Sequence, residues 1–187
     1  AGEEPRNELV AVPADGGSAP QVVATGRDFY AAPRVRGDGA LLAYLAWDHP
    51  DMPWDGAALH VARLTFDEVE GVRLDDDRHL AGGDDTSAIQ PAWAPDGALV
   101  YATDRTGFYN VERVGEADAA ALTGVQADVG APMWQLGDAS FAILDDGRVL
   151  CAMVEEARAR LALLDPATHT LTPLEVPYTR ISHVRSF

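Results

Sequence analysis

The sequence has no lysine, one cysteine and no apolar run long enough to span a bilayer. All fourteen basic residues are arginines, and thirty acidic residues outnumber them, giving a formal net charge of −16. Such acidity argues against a nucleic-acid surface, because phosphate contacts need concentrated positive charge. We therefore expect a chain with a solvated acidic exterior that binds neither nucleic acid nor membrane. No signal-peptide pattern is visible, so the expected compartment is the cytoplasm.

Disulfide, thiol and metal chemistry are also poorly supported. Cys151 has no partner for an internal disulfide, and its apolar strand context predicts a buried structural thiol. The acidic runs 75–77 and 84–85 lack the spacing of an EF-hand calcium loop and are predicted as solvated hairpin loops. No pair among the scattered histidines has metal-ligand spacing with a cysteine or acidic partner. The sequence therefore predicts no metal site and no cofactor.

Asp-Gly turns, each followed by an apolar strand, recur along the chain. They lie at Asp38-Gly39, Asp96-Gly97 and Asp146-Gly147, and their glycines are 58 and 50 residues apart. Aspartate can hydrogen-bond its own turn and glycine takes a positive φ, so each pair predicts a hairpin. Periods of about 40–50 residues with four short strands are typical of propeller blades.

The chain is thus predicted to be all-β: a partial β-propeller with about three to four blades of four-stranded antiparallel sheet. No segment has a convincing helical period. Ala157–Leu164 has helical propensity, but its place in the repeat favours a strand. The predicted single domain, 1–187, comprises a half blade at 1–26, a blade at 27–83 with an inserted loop at Asp48–Asp55, blades at 84–124 and 125–177, and the start of another blade at 178–187.

Four local features add detail to this prediction. Phe66–Asp77 is acidic and irregular, so it is predicted as a long surface loop. Ile181–Arg185 is predicted to begin the next strand. Trp93 and Trp134 stand in apolar strand contexts and are expected to pack blades together. The inserted loop is rich in proline and tryptophan, so we expect it to fold back on itself with Trp54 substantially buried.

The inserted loop, Asp-His-Pro-Asp-Met-Pro-Trp-Asp, resembles a signature of the N-terminal propellers of bacterial prolyl oligopeptidase-family serine peptidases. These enzymes are often labelled dipeptidyl or acylaminoacyl peptidases. The resemblance covers essentially all 187 residues. It implies that an α/β-hydrolase domain follows the propeller and carries Ser, Asp and His, while the propeller covers the active site and screens peptide substrates by size. Supporting matches are Gly26–Tyr30, Gln90–Trp93, Pro95–Gly97, Asp104–Gly107 and Leu161–Asp165.

The chain departs from the complete family pattern in one respect. It contains no Gly-x-Ser-x-Gly elbow, the strained turn that exposes a nucleophilic serine. No catalytic residue can therefore be assigned. We expect a non-catalytic fragment that gates or positions peptides for a missing hydrolase domain. The alternative is a free-standing interaction propeller of the Tol-system or WD-repeat kind.

Five residues are candidates for contact with substrate or with the hydrolase domain: Asp48, His49, Trp54, Asp55 and Arg105. His49 has acidic neighbours, and a general base needs an orienting partner. The adjacent prolines nevertheless favour an imidazole that is hydrogen-bonded within its own loop. Arg105 could bind a substrate carboxylate. A turn salt bridge with the preceding aspartate, or a contact with a neighbouring blade, is the favoured role.

The terminal blade faces are expected to be apolar and exposed, because they lack the neighbours of a closed propeller. Exposed apolar patches and unpaired strand edges recruit partners. We therefore expect self-association, most simply as a homodimer, since charge repulsion is screened beyond about 8–10 Å at physiological salt. The residues expected on these faces are Leu9, Val10 and Val12 at one end and Leu161, Leu163, Leu171 and Leu174 at the other.

Overall fold

A computed structural model of the chain describes residues 5–67, 69, 71–115, 119–131, 133, 135 and 137–186. In this part of the chain, no helix is long and apolar enough to cross a membrane. The elements are β1 (Leu9–Ala11), β2 (Gln21–Ala24), β3 (Phe29–Val35), β4 (Leu41–Trp47), α1 (Pro53–Gly56), β5 (Ala58–Asp67), β6 (Gly71–Ala81), β7 (Ala88–Trp93), β8 (Leu99–Thr103), β9 (Asn110–Val114), β10 (Ala120–Ala121), β11 (Phe141–Ile143), β12 (Val149–Glu155), β13 (Arg158–Asp165) and β14 (Thr170–Leu174).

The strands form three four-stranded antiparallel sheets and one two-stranded hairpin, and strands adjacent in a sheet are consecutive in the sequence. We call β1–β2 the N-terminal hairpin, and β3–β6, β7–β10 and β11–β14 the first, second and third sheets. Four-stranded meanders that follow one another along the chain are the blades of a β-propeller. The chain is an all-β partial propeller, which confirms the predicted fold class.

The first hairpin of each sheet is closed by one of the three Asp-Gly turns. In Asp38-Gly39, Asp96-Gly97 and Asp146-Gly147 the glycine has a φ of 76°, 84° and 85°, respectively, a conformation that glycine adopts without steric cost. The aspartate accepts a hydrogen bond from the backbone N–H two residues further on, at 3.0, 3.2 and 3.0 Å, respectively. The same local chemistry therefore closes the equivalent hairpin in every sheet.

Apolar side chains stand on both faces of the central strands, because each sheet packs against a neighbour on either side. Strand β4 shows this alternation. Leu45 packs toward the second sheet in a cluster that includes Tyr101, whereas Tyr44 points the other way and packs with Leu9 of the N-terminal hairpin. A strand that is buried on both faces reads as a continuous apolar run rather than an alternating one.

Cys151 lies in the cluster between the second and third sheets, together with Val111 and Phe141. Its side chain is fully buried. Burial raises the pKa of the thiol to about 12, so it stays protonated at neutral pH. The predicted buried structural thiol is therefore confirmed.

The predicted acidic loop at Phe66–Asp77 is wrong, because most of this segment belongs to strand β6, which pairs with β5 along nearly its whole length. Three consecutive aspartates suggest a solvated loop when the sequence is considered alone. In the sheet, cross-strand donors and arginines offset the like charges. Asp75 accepts from the Thr65 hydroxyl at 2.8 Å, Asp76 pairs with Arg63, and Asp77 accepts from the Tyr44 hydroxyl at 2.6 Å.

The predicted strand at Ile181–Arg185 does not form, since among the described residues it makes only a single backbone hydrogen bond, from Val184 to Ala139 at 3.0 Å. The segment instead lies on the face of the third sheet that points away from the second, where Val184 packs near Leu161. Leu161 is therefore covered, contrary to the prediction that it lies on an exposed face. The apolar tail protects this face without extending the sheet.

The other residues predicted at the terminal faces divide into two groups. Leu9 packs against the first sheet, Leu171 packs against the cluster between the second and third sheets, and Leu163 is half-buried, so the predicted exposure of these three is wrong. Val10, Val12 and Leu174 are exposed, as predicted. The apolar surface left open at the ends of the described chain is therefore smaller than the sequence suggests.

Strand β13 confirms that the segment Ala157–Leu164 is extended rather than helical. The described residues contain one short helical turn, α1, in the β4–β5 loop, a segment too short to show a helical period in the sequence. Trp93 packs in the cluster between the first and second sheets, and its indole N–H donates to the carbonyl of Arg34 at 2.9 Å. This confirms the predicted packing role of Trp93, whereas Trp134 lies outside the described residues.

His60 lies on the first sheet beneath the N-terminal hairpin, beside a cavity whose lining includes Val23. Its ring stacks on Tyr44 with 5.2 Å between centroids, and its Nδ1 is 3.2 Å from an oxygen of Asp77. Nε2 is buried and has no hydrogen-bond partner in the described part of the chain. Burial lowers the pKa of His60, and the neighbouring Asp77 opposes this shift only in part.

We expect His60 to make the fold less stable in mild acid. An unfolded histidine titrates near about 6.5, and the folded pKa is lower, so the unfolded state takes up the proton first as the pH falls. The contribution of His60 to the free energy of unfolding is complete above about pH 6.5. Below that pH it declines by at most about 1.4 kcal/mol per pH unit, the limit for one proton. Urea unfolding at about pH 7.5 and about pH 5.5 should show a smaller acid loss for His60→Phe than for the wild type.

The exposed His169 provides a matched control, because His169→Asn should lose as much stability in acid as the wild type. Equal acid losses in the wild type and His60→Phe would show that the buried imidazole does not control the pH dependence.

Candidate functional face

The connections between strands lie alternately at the two ends of each antiparallel sheet. The Asp-Gly turns and the tip of the β5–β6 hairpin are at one end, which we call the turn face. The β4–β5 loop (48–57), the β6–β7 loop (82–87) and the β8–β9 loop (104–109) are at the other end, which we call the loop face. All five sequence candidates are therefore on the loop face: Asp48, His49, Trp54, Asp55 and Arg105.

Two segments that carry the family resemblance meet at this face: the supporting match Gly26–Tyr30, which leads into β3, and the inserted loop, which follows β4. The Arg27 guanidinium donates to Asp48 at 2.5 Å, and Asp48 also accepts from the backbone N–H of Asp28 at 2.8 Å. In return, Asp28 accepts from the backbone N–H of His49 at 2.9 Å, and its carboxylate is 3.0 Å from the His49 ring Nδ1. The ring of Phe29 packs against His49 with 4.8 Å between centroids. The two segments thus hold each other by reciprocal contacts.

These contacts identify the partner of His49 as Asp28, not a group within its own loop as predicted. The hydrogen bond from the Asp28 backbone lowers the pKa of Asp48, with a further contribution from Arg27. The four side chains of this network remain between 40% and 64% exposed. They are fixed relative to one another and still accessible to a partner.

The rest of the β4–β5 loop closes around the short helix α1. Asp55 accepts a hydrogen bond from the backbone N–H of Met52 at 3.0 Å, which caps the first turn. The buried hydroxyl of Ser87 donates to the Pro53 carbonyl at 2.8 Å and joins this loop to the β6–β7 loop. Pro53 is buried and Trp54 is half-buried. The loop folds back on itself, as expected, and Trp54 keeps part of its ring at the surface.

Arg105 has a different partner from the one predicted. Its guanidinium pairs with Glu112, which also accepts from the Tyr101 hydroxyl at 2.8 Å. The Glu112 side chain is only 6% exposed, whereas that of Arg105 is 53% exposed. The predicted salt bridge to Asp104 is wrong, because that carboxylate accepts from the backbone of Ser87 at 2.7 Å instead. Arg105 therefore neutralises a buried charge between the sheets and shows its other side to solvent.

Sequence reasoning missed two residues of the loop face, Ser87 and Asp128, and assigned a third, Asp104, to the wrong partner. Ser87 and Asp104 link the β6–β7 and β8–β9 loops, and Asp128 accepts from the backbone N–H of Tyr109 at 3.0 Å. The position of Asp104 directly after strand β8 was a usable signal, because aspartate commonly begins a turn. Ser87 and Asp128 carry no such signal, since their partners are far away in the sequence. Together the three residues fix neighbouring loops in one rigid face.

Solved structures identify the family. Puromycin hydrolase matches 93% of this chain at 38% identity with a TM-score of 0.83. A puromycin-hydrolyzing peptidase from Mycobacterium tuberculosis matches 93% of it at 36% identity with a TM-score of 0.82. Puromycin hydrolase is a prolyl oligopeptidase-family peptidase. The chain belongs to the propeller region of this family. The predicted resemblance is confirmed.

The match has a limited extent. The chain spans 27% of the length of each of these two structures. No protein-family model matches the sequence, and a search of curated proteins gave no match. TolB from Acinetobacter baumannii aligns with a TM-score of 0.39 at 18% identity, which carries no argument for the Tol-system alternative.

We expect Arg105→Ala to destabilise the fold, because it leaves the buried carboxylate of Glu112 without its counter-charge. Removing one partner of a fully buried pair costs about 3–5 kcal/mol. Arg105 is half exposed, so solvent screening reduces the expected cost to about 1–3 kcal/mol. Urea unfolding should be measured for Arg105→Ala, Glu112→Gln and the double variant. Arg105→Ala should lower the free energy of unfolding less when residue 112 is a neutral glutamine than when it is a glutamate.

The exposed pair Arg160–Glu155 is a matched control. Arg160→Ala should cost no more than about 1 kcal/mol, as surface ion pairs generally do. The interpretation is wrong if Arg105→Ala costs no more than this control, or if Glu112→Gln leaves its cost unchanged.

Proposed function

We propose that this chain is the non-catalytic propeller part of a peptidase, and that its loop face positions or screens peptide substrates for an α/β-hydrolase domain. The family match over 93% of the chain supports the hydrolase context. The observation that carries the choice of face is the reciprocal network of Arg27, Asp28, Asp48 and His49.

The loop face suits this role because its polar groups are held in place before any partner arrives. Binding then costs little ordering of side chains and loops. Asp48 and His49 offer exposed acceptor and donor atoms, and the half-buried Trp54 offers an aromatic surface of fixed orientation. A surface with these properties can contact a peptide backbone and its side chains, or the edge of a hydrolase domain.

The substrate class follows from the relatives. The two matched proteins are named for the hydrolysis of puromycin. We infer that the protein to which this chain contributes hydrolyses puromycin or short peptides. The chemical step then belongs to residues outside this chain, and the propeller contributes access and orientation.

The chain by itself should not hydrolyse peptides or esters. It has no Gly-x-Ser-x-Gly elbow, and no serine hydroxyl in the described residues is hydrogen-bonded to a histidine, as nucleophile activation requires. An aminoacyl nitroanilide, a nitrophenyl ester and puromycin should each be consumed at the buffer rate. Turnover above that rate, by protein purified free of other hydrolases, would refute the assignment.

The positioning role can be tested in a chimera in which this chain replaces the matching segment of puromycin hydrolase. Trp54→Ala in the chimera should change the ratio of kcat/KM between a short and a long peptide by at least about threefold, equivalent to about 0.7 kcal/mol. Val35→Ala is the control, because Val35 is exposed near the turn face of the same sheet. The positioning role is contradicted if the chimera hydrolyses puromycin and the ratio of kcat/KM between the short and the long peptide is the same in the Trp54→Ala and Val35→Ala variants.

A further inference from the structure

The N-terminal hairpin docks on the first sheet through side chains. In the described part of the chain, no backbone hydrogen bond links β1 or β2 to that sheet. Leu9 packs with Leu42 and Tyr44 of the sheet. The Gln21 side chain accepts a hydrogen bond from the backbone N–H of Val72 at 3.0 Å. A two-stranded hairpin alone is marginally stable in water, so the fold of this hairpin depends on its docking.

Packing between the hairpin and the first sheet is incomplete. A cavity of about 310 Å³ lies between them, and its lining includes Val23 and Ala24 of the hairpin and Tyr44, His60 and Leu74 of the sheet. Atoms that border a cavity lack contact partners on one side and lose dispersion energy. The hairpin is therefore held less tightly than the sheets hold one another, and undocking needs less free energy than unfolding of the whole chain.

His60 lies under this hairpin with one of its two ring nitrogens paired. Asp77 is 3.2 Å from Nδ1 and its carboxylate can only accept a hydrogen bond, so Nδ1 carries the hydrogen of the neutral ring. A second proton must go to Nε2, which is buried and has no hydrogen-bond partner among the described residues. A buried charged donor without an acceptor is strongly destabilising. The docked arrangement therefore accommodates the neutral imidazole and opposes the imidazolium.

The groups around the ring give a second proton little compensation. Strand β2 lines the cavity with uncharged residues, and the titratable and charged groups come from the β2–β3 connection, β3, β4 and β6: Arg27, Tyr30, Tyr44, Asp77 and His79. Burial raises the pKa of both tyrosines, so they stay uncharged in acid. Arg27 is positive and pairs with Asp48 at 2.5 Å. Asp77 is negative, but its second oxygen already accepts from the Tyr44 hydroxyl at 2.6 Å.

We propose that protonation of His60 undocks the N-terminal hairpin from the first sheet, so that mild acid exposes the apolar face around Leu42 and Tyr44. Once the hairpin has moved, water can accept a hydrogen bond from the Nε2–H of the charged ring. The opening stays local, because protonation of the other four histidines requires no separation of the sheets. Those four are exposed in the folded chain: His49, His79, His169 and His183.

Hydrogen exchange of the 187-residue chain tests this proposal, with protection factors that correct for the pH dependence of intrinsic exchange. Between about pH 7.5 and about pH 5.5, the opening equilibrium of the amides in β1 and β2 should rise about five- to tenfold, since an exposed imidazole titrates near about 6.5. The amides of β8, in the second sheet, should change less than about twofold. His60→Phe should abolish the rise in the hairpin, whereas the matched control His169→Asn should retain it.

A second variant separates docking from titration. Leu9→Ala should raise the opening equilibrium of the hairpin by the same factor at both pH values, because it weakens the docking contact and leaves the imidazole in place. If His60→Phe does not fold, the comparison of the hairpin with β8 in the wild type still decides the matter. An equal acid response in the hairpin and β8 overturns the proposal, as does a rise that persists in folded His60→Phe or a Leu9→Ala variant with unchanged hairpin exchange.

Discussion

Every four-stranded sheet in this chain has two apolar faces, and the structure depends on covering both. A sheet packed on one side only would leave side chains such as Tyr44 or Leu161 in water. At about 25 cal/mol per Å² of apolar surface, this exposure would cost much of a small domain's stability. The sheets cover each other in the middle of the chain. The N-terminal hairpin and the tail around Val184 cover the outer faces, so a two-stranded hairpin and an irregular segment serve the same purpose as a neighbouring four-stranded sheet.

Most polar interactions of the chain lie around the packed sheets, at the ends of their strands. At the turn face, aspartates hydrogen-bond their own turns and close hairpins. At the loop face, Asp28, Asp104 and Asp128 instead accept from backbone N–H groups of other loops. Carboxylates that accept N–H bonds satisfy donors that a loop cannot pair within itself. Aspartates therefore close single turns at the turn face and join neighbouring loops at the loop face. These links between loops make the loop face rigid.

The sequence was sufficient for features that depend on local chemistry. Asp-Gly pairs predicted the first hairpin of each sheet, and the position of Arg158–Asp165 in the repeat correctly outweighed its helical propensity. Prediction failed where distant partners decide the outcome. The aspartates at 75–77 resemble a loop until Arg63, Thr65 and Tyr44 are placed beside them. Likewise, nothing near Arg105 in the sequence indicates that its partner is a buried glutamate on the next strand. Pairings of this kind are set by the register of strands, which sequence spacing does not reveal.

The burial of Cys151 gives this chain an internal reporter of sheet separation. Its thiol lies among apolar side chains shared by the second and third sheets, and no other cysteine is present. A thiol reagent in water can reach the sulfur only when these two layers open. The rate of labelling under native conditions, compared with that of the unfolded chain, therefore measures the free energy of local opening between two blades. It does so without any change to the sequence and without the unfolding of the whole chain.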